Sequence, residues 1–272
     1  MSGFIYMKKT VGALVFVVLI FGLSILAELG LDYIFLVKGL VEPNMIYGSL
    51  RDFLIYILLI TLAILFLNKQ NKKLTKNRMQ LTTQNLVVVL LITLFYRVAE
   101  DPLLRFEILT GIEVFPDVSK YEYGCFQTLM LFLNFIILSS ILEELVFRRI
   151  VLGYFFSNKV VLGVLFSSFV FTIKHILTGS SNLDYIELFA IFIFGVFTAV
   201  VYIRFGFFYA ILFHSLYNFI WLIIGLNINS YWDILQELNF GTLYWIFVLT
   251  SVAILIFLLL AKKKVGYLLG KN

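Results

Sequence analysis

Two adjacent acids, Glu143 and Glu144, interrupt a long apolar run, and Arg148 stands four residues after the second. A charge near the centre of a bilayer costs about 3 kcal/mol on insertion scales, so such residues normally face a bundle interior and serve a purpose. On a helix, positions i and i+4 share a face, which lets Glu144 pair with Arg148 while Glu143 is turned about 100° away. The spacing therefore predicts one paired carboxylate and one free one. A free buried carboxylate beside a fixed charge suits general-base chemistry, and a purely structural ion pair is the alternative. The chain has only two histidines, His175 and His214, and both fall in apolar segments. His175 follows Phe171 by four residues and His214 precedes Asn218 by four, so each pair shares a helical face. Activation of water requires a base, an orienting imidazole and donors for a developing oxyanion. These residue types supply all three, although a buried histidine can also serve packing alone.

Glu143-Glu144-x-x-x-Arg148, Phe171-x-x-x-His175 and His214-x-x-x-Asn218 occur in that order on three separate apolar segments. Together they resemble the CPBP family, the CAAX-protease and bacteriocin-processing intramembrane proteases. The resemblance covers residues 124–226 and leaves the first three segments and the last without a motif. It implies a membrane endopeptidase in which Glu143 and His175 activate water and His214 and Asn218 stabilise the oxyanion. Glu144, Arg148 and Phe171 would support them. Zinc could in principle be held by Glu143, His175 and His214, because two histidines and a carboxylate make a catalytic set. The chain has no H-E-x-x-H, and two metal-bound histidines would leave Asn218 as the one obvious oxyanion donor. The favoured expectation is a metal-free mechanism without a cofactor.

The elements that must position these residues are long apolar runs at 11–29, 53–68, 85–98, 124–156, 160–178, 185–203, 206–226 and 241–261. A spanning helix needs roughly 20 apolar residues. The pattern predicts an all-α, polytopic transmembrane bundle of about eight spans, organised as a single domain over residues 1–272. Composition agrees: 62% of residues are hydrophobic, 14% are charged and the mean hydropathy is +1.02, against about a quarter charged in soluble domains. The lone Cys125 is a small apolar filler.

Charge orients the bundle, since short cytoplasmic loops are enriched in Lys and Arg. Lys8, Lys9, the run from Lys69 to Arg78, Lys159, Arg204 and the tail Lys262, Lys263, Lys264 and Lys271 fall on one side if every span crosses. Glu28, Asp32, Glu42, Asp52, Glu100, Asp101, Glu107, Glu113, Asp117, Glu122, Asp184, Glu187, Asp233 and Glu237 then fall on the outer side. The expected location is the cell membrane, multi-pass, with both termini cytoplasmic. The 69–78 run reads as a positive-inside loop, so no nucleic-acid partner is expected. Lys174 is expected to snorkel outward, and Tyr231-Trp232 and Tyr244-Trp245 to form an interfacial aromatic belt.

Depth limits the constellation. If the fourth helix continues to Phe156 before turning at Ser157-Asn158-Lys159, Glu143 stands about 20 Å above that turn and His175 about 25 Å. His214 and Asn218 stand about 12 and 18 Å above the turn at Arg204-Phe205-Gly206. A tilted bundle could join them. The expected partners are the lipid bilayer and a membrane-associated protein or peptide substrate, with bacteriocin maturation or self-immunity as the setting. Two alternatives remain: a proton- or cation-coupled transporter using the same groups, and a non-catalytic bacteriocin-immunity or scaffold protein that sequesters a peptide.

Overall fold

The computed structural model describes residues 2–37, 45–69, 82–110, 124–178 and 185–261, with side chains from Thr10 onward in the first helix. The basic residues at 72–78 and in the tail, the side chains of Lys8 and Lys9, and the acids Glu42, Glu107, Glu113, Asp117, Glu122 and Asp184 lie outside the described residues. With them goes most of the charge pattern expected to orient the bundle. Among the described residues there are helices and no strands.

We number the helices α1 (Ser2–Asp32, prolonged by a π turn at Tyr33–Val37), α2 (Met45–Lys69), α3 (Thr83–Leu104), α4 (Phe106–Leu109), α5 (Cys125–Phe155), α6 (Val160–Thr178), α7 (Tyr185–Phe205), α8 (Phe207–Leu226), α9 (Ile228–Leu238) and α10 (Thr242–Ala261). Seven of them, α1, α2, α5, α6, α7, α8 and α10, are long and apolar enough to cross a membrane. The 22-residue α3 is not one of the seven, yet it packs among them against α7, α8 and α10. The arrangement is thus close to the eight spans expected. Large apolar side chains such as Val161 (76% exposed), Phe257 (68%) and Leu260 (71%) point outward, as lipid rather than water as solvent allows. The short amphipathic α9 falls between two apolar runs and was not expected as an element of its own.

α5 is the axis of the molecule. It touches α1, α2, α6, α7 and α8, and it runs 31 residues to Phe155 before the turn at 156–159. Two of its stretches, Phe132–Leu138 and Glu144–Phe155, are wound as π-helix, and the backbone N–H of Phe156 donates to the carbonyl of Val151, five residues back. π segments inside helices frequently coincide with functional positions. Here one begins at Glu144.

Small residues let the helices around α5 approach closely, as is usual in membrane bundles. A Cβ on Gly195 of α7 would stand 3.1 Å from Cβ of Ser168 on α6, and one on Gly163 would collide at 2.6 Å with Leu152 of α5 and with Phe156 just beyond it. The turn from α7 to α8 is a single residue, Gly206, at φ 101°, a conformation that suits glycine. One continuous apolar core joins α1, α2, α3, α5, α6, α7, α8 and α10. At one end, Arg51 of α2 binds Glu28 at 2.9 Å and Asp32 at 3.0 Å, tying α1 to α2.

Glu100 and Asp101, close to the C-terminal end of α3, are buried, at 4% and 7% exposed. One expectation needs correction: Tyr231, Trp232 and Tyr244 do not form a belt. The hydroxyls of Tyr231 and Tyr244 donate to Asp101 and Trp232 is buried, because a buried carboxylate needs donors more than an interface needs aromatic rings. Trp245, 41% exposed, remains on the outside.

Candidate active site

Glu143, Glu144 and Arg148 come from the middle of α5 and are 3%, 0% and 0% exposed. The Nε of Arg148 lies 3.4 Å from Oε2 of Glu144, the i,i+4 pair read from the sequence. Arg148 also donates through Nε and Nη2 to Oγ1 of Thr198 on α7, and its guanidinium lies over the ring of Phe171, 5.3 Å from the centroid. Oε1 of Glu144 meets Nδ1 of His214 on α8 at 2.9 Å. A carboxylate only accepts, so Nδ1 carries the hydrogen and Nε2 of His214 faces away from Glu144. That Nε2 stands 3.9 Å from Oε2 of Glu143.

Glu143 is not free in the sense expected. Its Oε1 accepts from Oγ of Ser139 at 2.7 Å and from Nζ of Lys174 at 3.0 Å. The reading of Lys174 as an outward snorkel is therefore corrected. Its four-carbon stem brings the ammonium back to Glu143, and pairing offsets the burial of both charges. Oε2 has no hydrogen-bond partner among the described residues and looks toward His214. The two oxygens of Glu143 are thus held differently, one fixed and one open.

His175 hydrogen-bonds through Nδ1 to the carbonyl of Phe171, one turn back on α6, at 2.9 Å. A carbonyl cannot donate, so Nδ1–H is the donor and Nε2 of the neutral ring keeps its lone pair. His175 and Glu143 interact electrostatically, and the ring centroid of Phe171 lies 4.5 Å from that of His175 and 6.2 Å from that of His214. Asn218, one turn beyond His214, donates its Nδ2 hydrogens to the carbonyl of Phe135 at 2.9 Å and to Oγ of Ser140 at 3.2 Å. In this arrangement it staples α8 to α5, and one of those hydrogens must be released before it can meet an oxyanion.

The structure brings Glu143, Glu144, Arg148, Phe171 and His214 into mutual contact, with His175 beside Phe171 and Asn218 a turn away. Sequence reading passes over Ser139, Ser140 and Thr198, and it gives Lys174 the wrong direction. Helical spacing carried a signal for the two serines, which stand four residues before Glu143 and Glu144. Nothing along the chain points to Thr198, whose role depends on how α7 is rotated against α5. Zinc does not fit the placement: no three His, Cys, Asp or Glu side chains among the described residues converge as metal ligands, and the ammonium of Lys174 already holds one oxygen of Glu143.

This is a membrane helix bundle with a buried carboxylate–imidazole centre. Residues 125–220 match the family described as Type II CAAX prenyl endopeptidase Rce1-like, and over that segment the resemblance drawn from the three motifs holds. Among curated proteins, the sporulation-killing factor biosynthesis protein SkfC of Bacillus subtilis (strain 168) is 32% identical over 90 residues, which are 32% of this chain and 18% of the relative. The chain thus matches less than a fifth of that relative's length. No solved structure matches.

Proposed function

We propose that this chain is an intramembrane endopeptidase that cleaves a peptide bond in a membrane-associated protein or peptide without a metal. The observation that carries the reading is the pair of facing atoms, Oε2 of Glu143 and Nε2 of His214, 3.9 Å apart within a buried cluster of charged side chains. Two such atoms can both touch one water at ordinary hydrogen-bond length.

In this reading Oε2 of Glu143 takes a proton from the water as its oxygen attacks the carbonyl carbon, and Nε2 of His175 is a second acceptor at hand. Lys174 and Ser139 hold the other oxygen and fix the carboxylate's orientation. Glu144, held by Arg148, keeps the ring of His214 turned with Nε2 inward. As an imidazolium, His214 donates Nε2–H to the oxyanion, with Asn218 as the second donor. When the tetrahedral adduct collapses, the C–N bond breaks and the proton passes to the leaving amine. That the relative SkfC is a sporulation-killing factor biosynthesis protein supports maturation of such a factor as the setting.

The test compares membranes containing the intact protein with membranes containing Glu143→Gln, looking for one accumulated precursor. That precursor is then incubated with purified protein in liposomes. Cleavage by the intact protein and not by the variant is the expected result. Ion flux through the same liposomes with no peptide hydrolysis would overturn the reading in favour of a relay, and protection of cells unaffected by loss of the polar cluster would favour a sequestering scaffold.

A further inference from the structure

The ring of His214 is aimed by a chain of contacts that begins on a helix carrying none of the three motifs. Thr198 of α7 is fully buried. Its hydroxyl has one hydrogen, which goes to the carbonyl of Gly195, one turn back, at 3.0 Å. Only lone pairs then remain for its neighbours. Arg148 of α5 fills them, through Nε at 3.0 Å and through Nη2. The same Gly195 lets α7 close on Ser168 of α6, which brings the hydroxyl within reach of α5.

The consequence lies in what the guanidinium does not do. Nε and Nη2 form the edge with which an arginine grips a carboxylate through two parallel bonds, and the carboxylate of Glu144 stands beside it. Yet Nε is 3.4 Å from Oε2 of Glu144, and Oε2 has no hydrogen-bond partner among the described residues. Oε1 is left to Nδ1 of His214 at 2.9 Å. The arginine's fork is spent on Thr198. Glu144 therefore balances the charge of Arg148 without being gripped by it, and one of its oxygens serves the imidazole. Without the hydroxyl, two buried N–H groups would lack an acceptor, a state that costs stability, and the carboxylate of Glu144 is the acceptor at hand. Closing the fork on it would turn the carboxylate and draw Oε1 away from His214. The ring could then carry its hydrogen on Nε2, facing Oε2 of Glu143 at 3.9 Å, and the open oxygen of the base would be taken up.

We propose that Thr198 is a positioning residue, whose hydroxyl occupies the Nε/Nη2 edge of Arg148 so that Glu144 keeps an oxygen for Nδ1–H of His214. Thr198 acts through Arg148 and Glu144 alone. Its effect on hydrolysis rests on the reading of Glu143 as the base and His214 as a donor to the oxyanion, whereas its effect on the imidazole needs no substrate.

The test reads the imidazole directly. The chain has two histidines, so the full protein labelled with ring ¹⁵N-histidine in phosphatidylcholine nanodiscs gives two ring systems, and His175→Gln identifies that of His214. In the intact protein the Nδ1–H proton of His214 should lie downfield, as that of a donor to a carboxylate does. In Thr198→Val, which keeps the shape and removes the oxygen, it should move upfield or be lost to exchange with water. In Thr198→Ser it should stay. On the precursor that accumulates with Glu143→Gln, Thr198→Val should lower kcat by about 10–100-fold, the effect of removing an outer partner of a metal-bound histidine elsewhere. KM should change little, and Thr198→Ser should stay close to the intact protein. Thr198→Ala decides if Thr198→Val does not fold. An unmoved Nδ1–H in the folded variant, kcat equal to that of the intact protein, or Thr198→Ser behaving like Thr198→Val would overturn the proposal. So would failure of both Thr198→Val and Thr198→Ala to fold while Thr198→Ser folds, since the hydroxyl would then serve the fold alone. A displaced Nδ1–H with no hydrolysis even by the intact protein would overturn the protease reading and support the placement of Thr198.

Discussion

The molecule contains the same short pattern twice, and the two copies finish differently. Glu143-Glu144 and Glu100-Asp101 are adjacent acids buried in apolar helices, each with an arginine four residues from one member: Arg148 after Glu144, Arg97 before Asp101. Around the α5 pair the partners are a serine, a lysine, an arginine and a histidine. Around the α3 pair they are four tyrosine hydroxyls. Tyrosines saturate the α3 carboxylates as donors and leave Nε and Nη2 of Arg97 without a hydrogen-bond partner among the described residues. The α5 cluster leaves carboxylate oxygens over, Oε2 of Glu143 and of Glu144, together with Nη1 of Arg148. Two similar stretches thus differ in their acids: those of α3 are saturated by hydroxyls, whereas those of α5 keep an acceptor that can take a proton.

The largest expected effect is on the acceptor. Glu143→Gln keeps shape and the Ser139 contact while removing the proton-accepting oxygen, so hydrolysis of the identified precursor should fall by about 10²–10⁴-fold, the range of general-base contributions. Turnover near that of the intact protein would move the base to His175. Asn218→Ala should lower turnover by about 10²–10³-fold, as loss of an oxyanion donor does in other proteases. Its effect on thermal unfolding in detergent should be small by comparison, one hydrogen bond to Phe135 and one to Ser140. A large melt shift with normal turnover would make Asn218 only the staple between α8 and α5.

Stability separates the two acids of the α5 pair. Glu144→Gln leaves Arg148 buried beside a neutral amide and should destabilise by about 3–5 kcal/mol, the usual result of breaking one side of a buried pair. Adding Arg148→Met should return most of that loss in a thermal melt, whereas no change at Arg148 should rescue Glu143→Gln. The smallest effect is expected on α3: Tyr217→Phe removes one of two donors to Glu100 and should cost about 1–3 kcal/mol, with turnover nearly unchanged. A turnover loss as large as that of Asn218→Ala would instead join the α3 centre to the chemistry through Tyr217, whose ring lies 4.4 Å from that of Phe194, itself 5.0 Å from His214.

Hydropathy alone determined the solvent of this protein, because residues that face lipid have no alternative to apolar side chains and helices have no alternative way to satisfy their backbone there. The spans, the long α5 running to its turn and the Glu144–Arg148 pair followed from run length and from the i,i+4 rule, both properties of one helix taken singly. Contacts between helices were another matter. Lys174 could have pointed either way along the sequence, and only the rotation of α6 against α5 put its ammonium on Glu143. Tyr231 and Tyr244 read as an interface belt, and Tyr217 carried no signal, until tertiary structure aimed these three hydroxyls of α8, α9 and α10 at two acids on α3. Which oxygen of Glu143 stays open, and which nitrogen of His214 faces it, follow from partners on other helices at a shared depth. Periodicity along a chain fixes faces but not the angle or height at which two faces meet.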